Sequence, residues 1–181
     1  MRIIDTALEE VKIIEPEVYS DERGYFYESF SMKKFYALIG REINFVQDNH
    51  SYSHNGTLRG IHFQLPPFSQ GKLVRAIQGE VYDVAVDLRK SSDTFMKWVG
   101  VALSEKNKRQ LWIPEGFGHG FLVNSSSAHF LYKTTNYYNK ESESSVLWND
   151  PTLSIDWGIN LPKLSNKDKM APQIEHSRLF E

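Results

Sequence analysis

The amino-acid sequence predicts a mainly β protein, an antiparallel sandwich or barrel with few short helices. Short segments rich in Val, Ile and aromatic residues recur between turn residues, as strands do. Their spacing is too short for intervening crossover helices, which argues against a parallel α/β arrangement. One segment, Val81 to Leu88, alternates Tyr82, Val84, Val86 and Leu88 with Val81, Asp83, Ala85 and Asp87, the pattern of a strand with one drier face.

In chain order, strands are expected at Val11 to Ile14, Tyr25 to Phe30, Asn44 to Asp48, Gly60 to Gln64, Leu73 to Ile77 and Val81 to Leu88. The series continues at Lys97 to Leu103, Gln110 to Ile113, Gly120 to Val123 and His129 to Thr134. A short helix is expected over Met32 to Leu38, because the Ser31 hydroxyl can cap it and Gly40 can supply the left-handed residue that ends it. A weaker helical turn is expected after Ser165. Beyond Ala171 periodicity is slight, so order there depends on packing against the body.

The 181 residues are 40% apolar, enough to build one substantial core, and a single domain spanning residues 1 to 181 is expected, its C-terminal segment from about residue 160 packing on the rest. Twenty-one basic against 23 acidic side chains leave no broad electrostatic footprint for nucleic acid or an anionic membrane. No apolar run reaches transmembrane length, and Arg2, Asp5, Glu9 and Glu10 interrupt any signal-peptide core, so a soluble, cytoplasmic protein is expected. With no cysteine, disulfides, thiolate nucleophiles and Cys-based metal sites are excluded. The available chemistry is that of His, carboxylate, Tyr, Lys and Arg.

Two segments concentrate that chemistry. In Gly56 to Gln64, GTLRGIHFQ, strand alternation puts His62 and Gln64 on one face and Ile61 and Phe63 on the other. Arg59 then falls opposite His62, so both reach one site only if Gly60 introduces a bulge or bend. In Pro114 to Asn124, PEGFGHGFLVN, glycines flank His119. A related pair of motifs occurs in small barrels called cupins, which resemble this chain in that respect; metal-binding cupins carry two histidines and a glutamate in the first motif. Here Gln64 stands at the second histidine, and no carboxylate follows in Leu65, Pro66, Pro67 and Phe68. His62 and His119 alone are too few strong ligands for an ordinary metal site, so no metal is expected. Taken singly, His62 reads as a hydrogen-bonded structural histidine, Lys72 as a solvated strand lysine and Tyr132 as a core aromatic.

Six strings change those weights. DERGYFYESF (Asp21 to Phe30), FVQDNHS (Phe45 to Ser51), LRGIHFQLPP (Leu58 to Pro67), QGKLVRAIQGEVYDVAVDLR (Gln70 to Arg89), NKRQLWIPEGFGHGFLV (Asn107 to Val123) and FLYKTTNYY (Phe130 to Tyr138) resemble the dTDP-4-dehydrorhamnose 3,5-epimerase family, in the family's order and over nearly the whole chain. The resemblance implies a cupin-like jelly roll. It also implies a cofactor-free enzyme that takes dTDP-4-dehydro-6-deoxy-D-glucose to dTDP-4-dehydro-β-L-rhamnose, inverting the two carbons beside the C4 ketone. By the same resemblance His62 is the base, Asp168 its charge-stabilising partner, and Tyr132 the acid on the opposite face. Lys72 and His119 lie near the sugar, with the choice between them at the enolate oxygen left open.

For the nucleotide, the resemblance implies Arg23 and Arg59 on the diphosphate and Tyr138 stacked on thymine. It adds contacts from Glu28, Gln47, Asn49, Glu143 and Lys167, with Asp48 between two of them and Phe26 as an apolar wall. It further implies a homodimer in which the Arg23 to Glu28 strand of one subunit completes its partner's site. Two departures stand out: Lys140 replaces a usual proline ahead of a serine-rich stretch holding Glu143, and Gly118 replaces a usual alanine, which is expected to free the backbone with little consequence. Competing readings are an epimerase acting at C3 or C5 alone, a metal-dependent cupin enzyme, and a non-catalytic nucleotide-sugar binder.

Overall fold

A computed structural model describes residues 1–181. Its strands are β1 (Arg2–Asp5), β2 (Lys12–Glu15), β3 (Val18–Asp21), β4 (Gly24–Tyr27), β5 (Gln47–His54), β6 (Leu58–Gln64), β7 (Lys72–Gln78), β8 (Glu80–Asp87), β9 (Trp98–Ser104), β10 (Gln110–Ile113), β11 (Phe117–Val123), β12 (Ser127–Thr134) and β13 (Glu143–Ser145). Two short helices, α1 (Met32–Ile39) and α2 (Asn166–Lys169), complete the regular structure with a 3-10 turn at Ile174–His176. No helix is long and apolar enough to cross a membrane.

The strands form a six-stranded antiparallel sheet in the order β1-β2-β10-β7-β12-β5, facing a five-stranded one in the order β13-β6-β11-β8-β9. This is the predicted jelly-roll sandwich. The interior between the sheets is filled from both sides, by Ile13, Val74, Leu111, Ile113 and Phe130 of one and Val81, Ala85, Leu103, Phe121 and Val123 of the other. A fully buried side chain of this size contributes about 1.5–3 kcal/mol over its exposed state.

The outer faces are closed differently. Over the five-stranded sheet, Ile155, Trp157, Ile174 and Phe180 of the C-terminal segment pack on Leu58, Ile61, Phe63, Val84, Val86 and Leu88. Both faces of β8 are therefore buried, and the alternation that suggested one drier face instead separates a barrel interior from an apolar seam under the tail. At one end of the six-stranded sheet, α1 buries Phe35 against Trp112, Ile14, Ile43 and Leu73. That helix ends as its sequence requires, with Gly40 at φ 79° and its N–H donated to the Tyr36 carbonyl.

Boundaries moved where polarity hid a strand. The segment expected at Asn44 to Asp48 pairs from Gln47 to His54 along β12, although QDNHSYSH has little apolar periodicity. β1, β3 and β13 are four residues or fewer and lie at sheet edges or in the separate β3–β4 hairpin, where little burial marks them. In the tail, α2 forms after Ser165 as expected.

Gly118 has a packing role. A methyl built there would sit 2.4 Å from Cγ2 of Ile61 and 2.7 Å from Cδ1 of Leu88. Ile61 and Leu88 thus fill the space that an alanine side chain would need, so the departure is a local repacking and not a gain of backbone freedom.

Candidate active site

Gly60 makes the site possible. Along β6 and β11, His62 is opposite His119 and Arg59 opposite Phe121, so two residues intervene on β6 where one intervenes on β11. The extra residue is a β-bulge at Gly60 and Ile61. It reverses the alternation, leaving Leu58 and Ile61 in the apolar seam while Arg59 and His62 line the same cavity. Gly60 adopts φ 138°, and a Cβ there would lie 2.4 Å from Gly120 Cα, so the crossing admits glycine alone. The bend required by the sequence is present.

The cavity, about 240 Å³, lies between the sheets and is lined by Arg59, His62, Lys72, His119, Tyr132 and Tyr138, among others. Their origin matters more than its size. His62 comes from β6 and His119 from β11 of the five-stranded sheet, whereas Lys72 comes from β7 and Tyr132 from β12 of the six-stranded sheet. His62 and Tyr132 therefore face the cavity from opposite walls.

Each histidine is held by a buried carboxylate. His62 Nε2 lies 2.6 Å from Asp168 Oδ1, and Asp168 is 3% exposed. Burial alone would raise the Asp168 carboxyl, but hydrogen bonds from His62 and Ser165, the His62 charge and the Gly60 amide outweigh it and keep the acid below its ordinary value. The ionised carboxylate fixes Nε2 of His62 as the protonated nitrogen and leaves Nδ1 as the basic one. His119 Nε2 lies 2.9 Å from Asp83 Oδ2, with both residues buried. Burial drives that pair toward its neutral forms, raising the Asp83 carboxyl and lowering the His119 imidazole.

Lys72 is not the solvated lysine its isolated reading suggested. It is 8% exposed, and its ammonium lies 3.3 Å from the His62 carbonyl, to which it donates. Burial lowers it to about 8, against the opposing pull of Asp83 and Glu143. Burial also raises the Tyr132 phenol, with Arg59 pulling the other way, so the ring keeps its proton at neutral pH. A base, a neutral acid and a cation thus surround one cavity, the set needed to move a proton beside a carbonyl.

The remaining expected residues divide into three groups. At the cavity mouth, β13 brings Glu143 beside Gln64, where Glu143 accepts from the Tyr138 hydroxyl at 3.3 Å and pairs closely with Lys167. Despite Lys140 and the serines, that residue is thus held by strand pairing. Gln47 accepts the Tyr138 amide at 3.4 Å and donates to Asn49 at 2.9 Å. Asp48, expected with them, turns by strand alternation to the other face, where it pairs with Lys133 at 2.9 Å. Arg23 and Phe26 lie on the β3–β4 hairpin, away from this cavity, and line a separate groove with Tyr19 and Tyr25. Glu28, just beyond the hairpin, pairs with Lys34 at 2.9 Å.

One working residue, Asp83, is not singled out by the sequence, and Gln64, which is, serves differently from its expected place beside His62. Asp83 enters the sequence reading only as part of a strand pattern, yet a carboxylate set between apolar strand residues, as Asp83 and Asp87 are in VYDVAVD, is the signal of a buried partner. Gln64 does not offer its amide to the cavity: Nε2 donates to the Phe68 and Tyr137 carbonyls, and Oε1 accepts from Asn139 N–H. It ties two loops to the site.

Fold and cavity together define a cupin-like protein equipped to move a proton beside a carbonyl. Residues 5–176 match the family described as dTDP-4-dehydrorhamnose 3,5-epimerase. The chain is 58% identical to the dTDP-4-dehydrorhamnose 3,5-epimerase of Shigella flexneri over 168 residues, 93% of each protein. It matches the crystal structure of dTDP-6-deoxy-D-glucose-3,5-epimerase from Legionella pneumophila in complex with dTDP-4-keto-L-rhamnose with a TM-score of 0.94 and 53% identity, covering 97% of this chain and 93% of that one. A 3'-monoepimerase from Streptomyces bikiniensis, in complex with dTDP-quinovose, matches with a TM-score of 0.89 and 33% identity, covering 97% and 88%. The chain belongs to the dTDP-4-dehydrorhamnose 3,5-epimerase family.

Proposed function

We propose that this protein converts dTDP-4-dehydro-6-deoxy-D-glucose to dTDP-4-dehydro-β-L-rhamnose, in the route to dTDP-L-rhamnose, by inverting C3 and C5. The observation that carries the mechanism is the placement of His62 and Tyr132 on opposite walls of one cavity. His62 Nδ1 removes the proton α to the C4 ketone, and Asp168 stabilises the imidazolium that forms. Charge delocalises onto the ketone oxygen, where Lys72 offers a buried cation in a setting that strengthens its attraction. Tyr132 then returns a proton from the other face, inverting the carbon. The same groups serve the second α carbon, which flanks the same ketone, once the His62 imidazolium has lost its proton to solvent and the Tyr132 phenolate has regained one.

Arg59 serves the diphosphate through its guanidinium, and Tyr138 stacks on the thymine, with Gln47, Asn49, Glu143 and Lys167 around them. The exposed hairpin supports a homodimer: Phe26 is 70% and Tyr25 60% exposed, beside an Arg23 guanidinium paired only with Asp21. Residues of that kind gain a role if the hairpin of one subunit completes its neighbour's nucleotide site. Sedimentation equilibrium is expected to return a dimer, and a monomer at assay concentration would contradict this. We read the chain as one domain, on the packing of its tail against the five-stranded sheet, and place it in the cytoplasm, a reducing compartment that a cysteine-free chain suits.

A pH dependence follows from Lys72. Its ammonium is present below about 8 and lost above, so the turnover number is expected to fall as pH rises through that value. Glu143, Asp83, His62, His119 and Lys167 are the charged or titratable groups around it. In Lys72→Met this alkaline limb is expected to vanish along with about 10²–10³-fold of activity; an unchanged limb in that variant removes Lys72 from the oxygen. The reaction itself is tested by trapping the product with a stereospecific reductase: an L-rhamno sugar supports double inversion, and a singly inverted sugar moves the assignment to a monoepimerase.

A further inference from the structure

The hydrogen bonds behind the base extend one residue further than the His62–Asp168 pair. Asp168 Oδ1 faces His62, and Oδ2 accepts a hydrogen bond of 2.6 Å from the Ser165 hydroxyl. That same hydroxyl accepts the Asp168 backbone N–H at 3.1 Å as the N-cap of α2. One side chain therefore fixes both the main chain and the carboxylate of Asp168. A four-residue helix is too short to hold a side chain by its own stability, so the orientation must come from such contacts.

We propose that Ser165 is a positioning residue of the reaction, acting through Asp168 to hold the His62 ring in the orientation and tautomer that present Nδ1 to the substrate. The proposal rests on His62 as the base. Ser165 lies behind the carboxylate and is absent from the cavity lining, so its effect falls on the chemical step and not on substrate binding. The groups facing the carboxylate are His62 and the Gly60 amide of β6 and Ser165 of its own turn, while neighbouring Lys167 is engaged by Glu143 of β13. Deleting the hydroxyl removes one of the hydrogen bonds that keep the buried acid ionised. Its carboxyl rises, and the acid limb of the turnover profile moves to higher pH.

The test compares Ser165→Gly with Ser165→Thr. Glycine at an N-cap costs a helix only a few tenths of a kcal/mol relative to serine, so it deletes the donor with little loss of fold; threonine restores a hydroxyl. Ser165→Gly is expected to lower kcat about 10–100-fold with KM within about twofold of wild type and the acid limb shifted upward, with Ser165→Thr recovering most of both. The proposal is overturned if the Gly variant turns over within twofold of wild type, or if kcat and the thermal midpoint fall while KM rises, with no recovery in Thr. Ring ¹⁵N shifts of His62 separate this outcome from failure of the functional reading. Should wild type exchange neither proton, loss of the Nε2–H tautomer in Ser165→Gly would still establish the positioning, and an unchanged tautomer would refute it.

Discussion

His62→Ala is expected to reduce exchange of the substrate's α protons with solvent by about 10²–10⁴-fold while leaving dTDP affinity within about threefold. The first figure is the usual contribution of a positioned general base. The second follows from the layout: His62 sits on β6 inside the barrel, while Tyr138, Glu143 and Lys167 gather at the mouth. Alanine also leaves Asp168, a carboxylate 3% exposed, without one of its two side-chain hydrogen-bond donors. His62→Asn serves as the control, since an amide can satisfy the carboxylate without acting as a base. Solvent exchange measured by NMR, alongside calorimetric titration with dTDP, separates chemistry from binding. Retained exchange in both variants would remove His62 from the mechanism.

Tyr132→Phe is expected to slow inversion about 10²-fold while changing proton removal by less than about tenfold. Deleting the hydroxyl leaves the aromatic packing against Phe130, with ring centroids 6.3 Å apart, and leaves His62 on the opposite wall untouched. The base still forms the enolate, which is then reprotonated from the original face. Deuterium therefore enters the substrate without a change of configuration, and the ratio of exchange to inversion rises. In wild type, burial pushes the phenol upward, so its proton is available across the neutral range; in Tyr132→Phe no hydroxyl remains to donate, so acidification toward pH 6 should not rescue the defect. Equal loss of exchange and inversion would give Tyr132 a structural or oxyanion role instead.

Much of this was legible in the residues, for identifiable reasons. β8 and β10 announced themselves because their apolar residues meet the core. β5 did not, because its side chains alternate between a polar cavity and the outer surface, and neither face imposes an apolar period. The conflict between Arg59 and His62 was visible in GTLRGIHFQ and could be resolved only by a bulge at Gly60, which register and close packing against Gly120 supply. By contrast, the burial of Lys72 and the Asp83–His119 contact depend on strands brought together from distant parts of the chain. A lysine at the start of a strand looks solvated until its neighbours across the barrel are known. The placement of Asp48 beside Lys133 follows from alternation, which sets it on the face opposite its sequence neighbours Gln47 and Asn49. The role of Ser165 was half legible, since its capping position could be read from the sequence while its second bond, to the carboxylate of Asp168, could not.

The most direct measurement is proton NMR of the wild-type protein with dTDP-4-dehydro-6-deoxy-D-glucose in D₂O. If His62 and Tyr132 act from opposite walls on both carbons flanking the ketone, deuterium appears at C3 and at C5 and the trapped sugar has the L-rhamno configuration. Deuterium at only one carbon would contradict double inversion, and its absence from both would contradict the epimerase mechanism for this substrate.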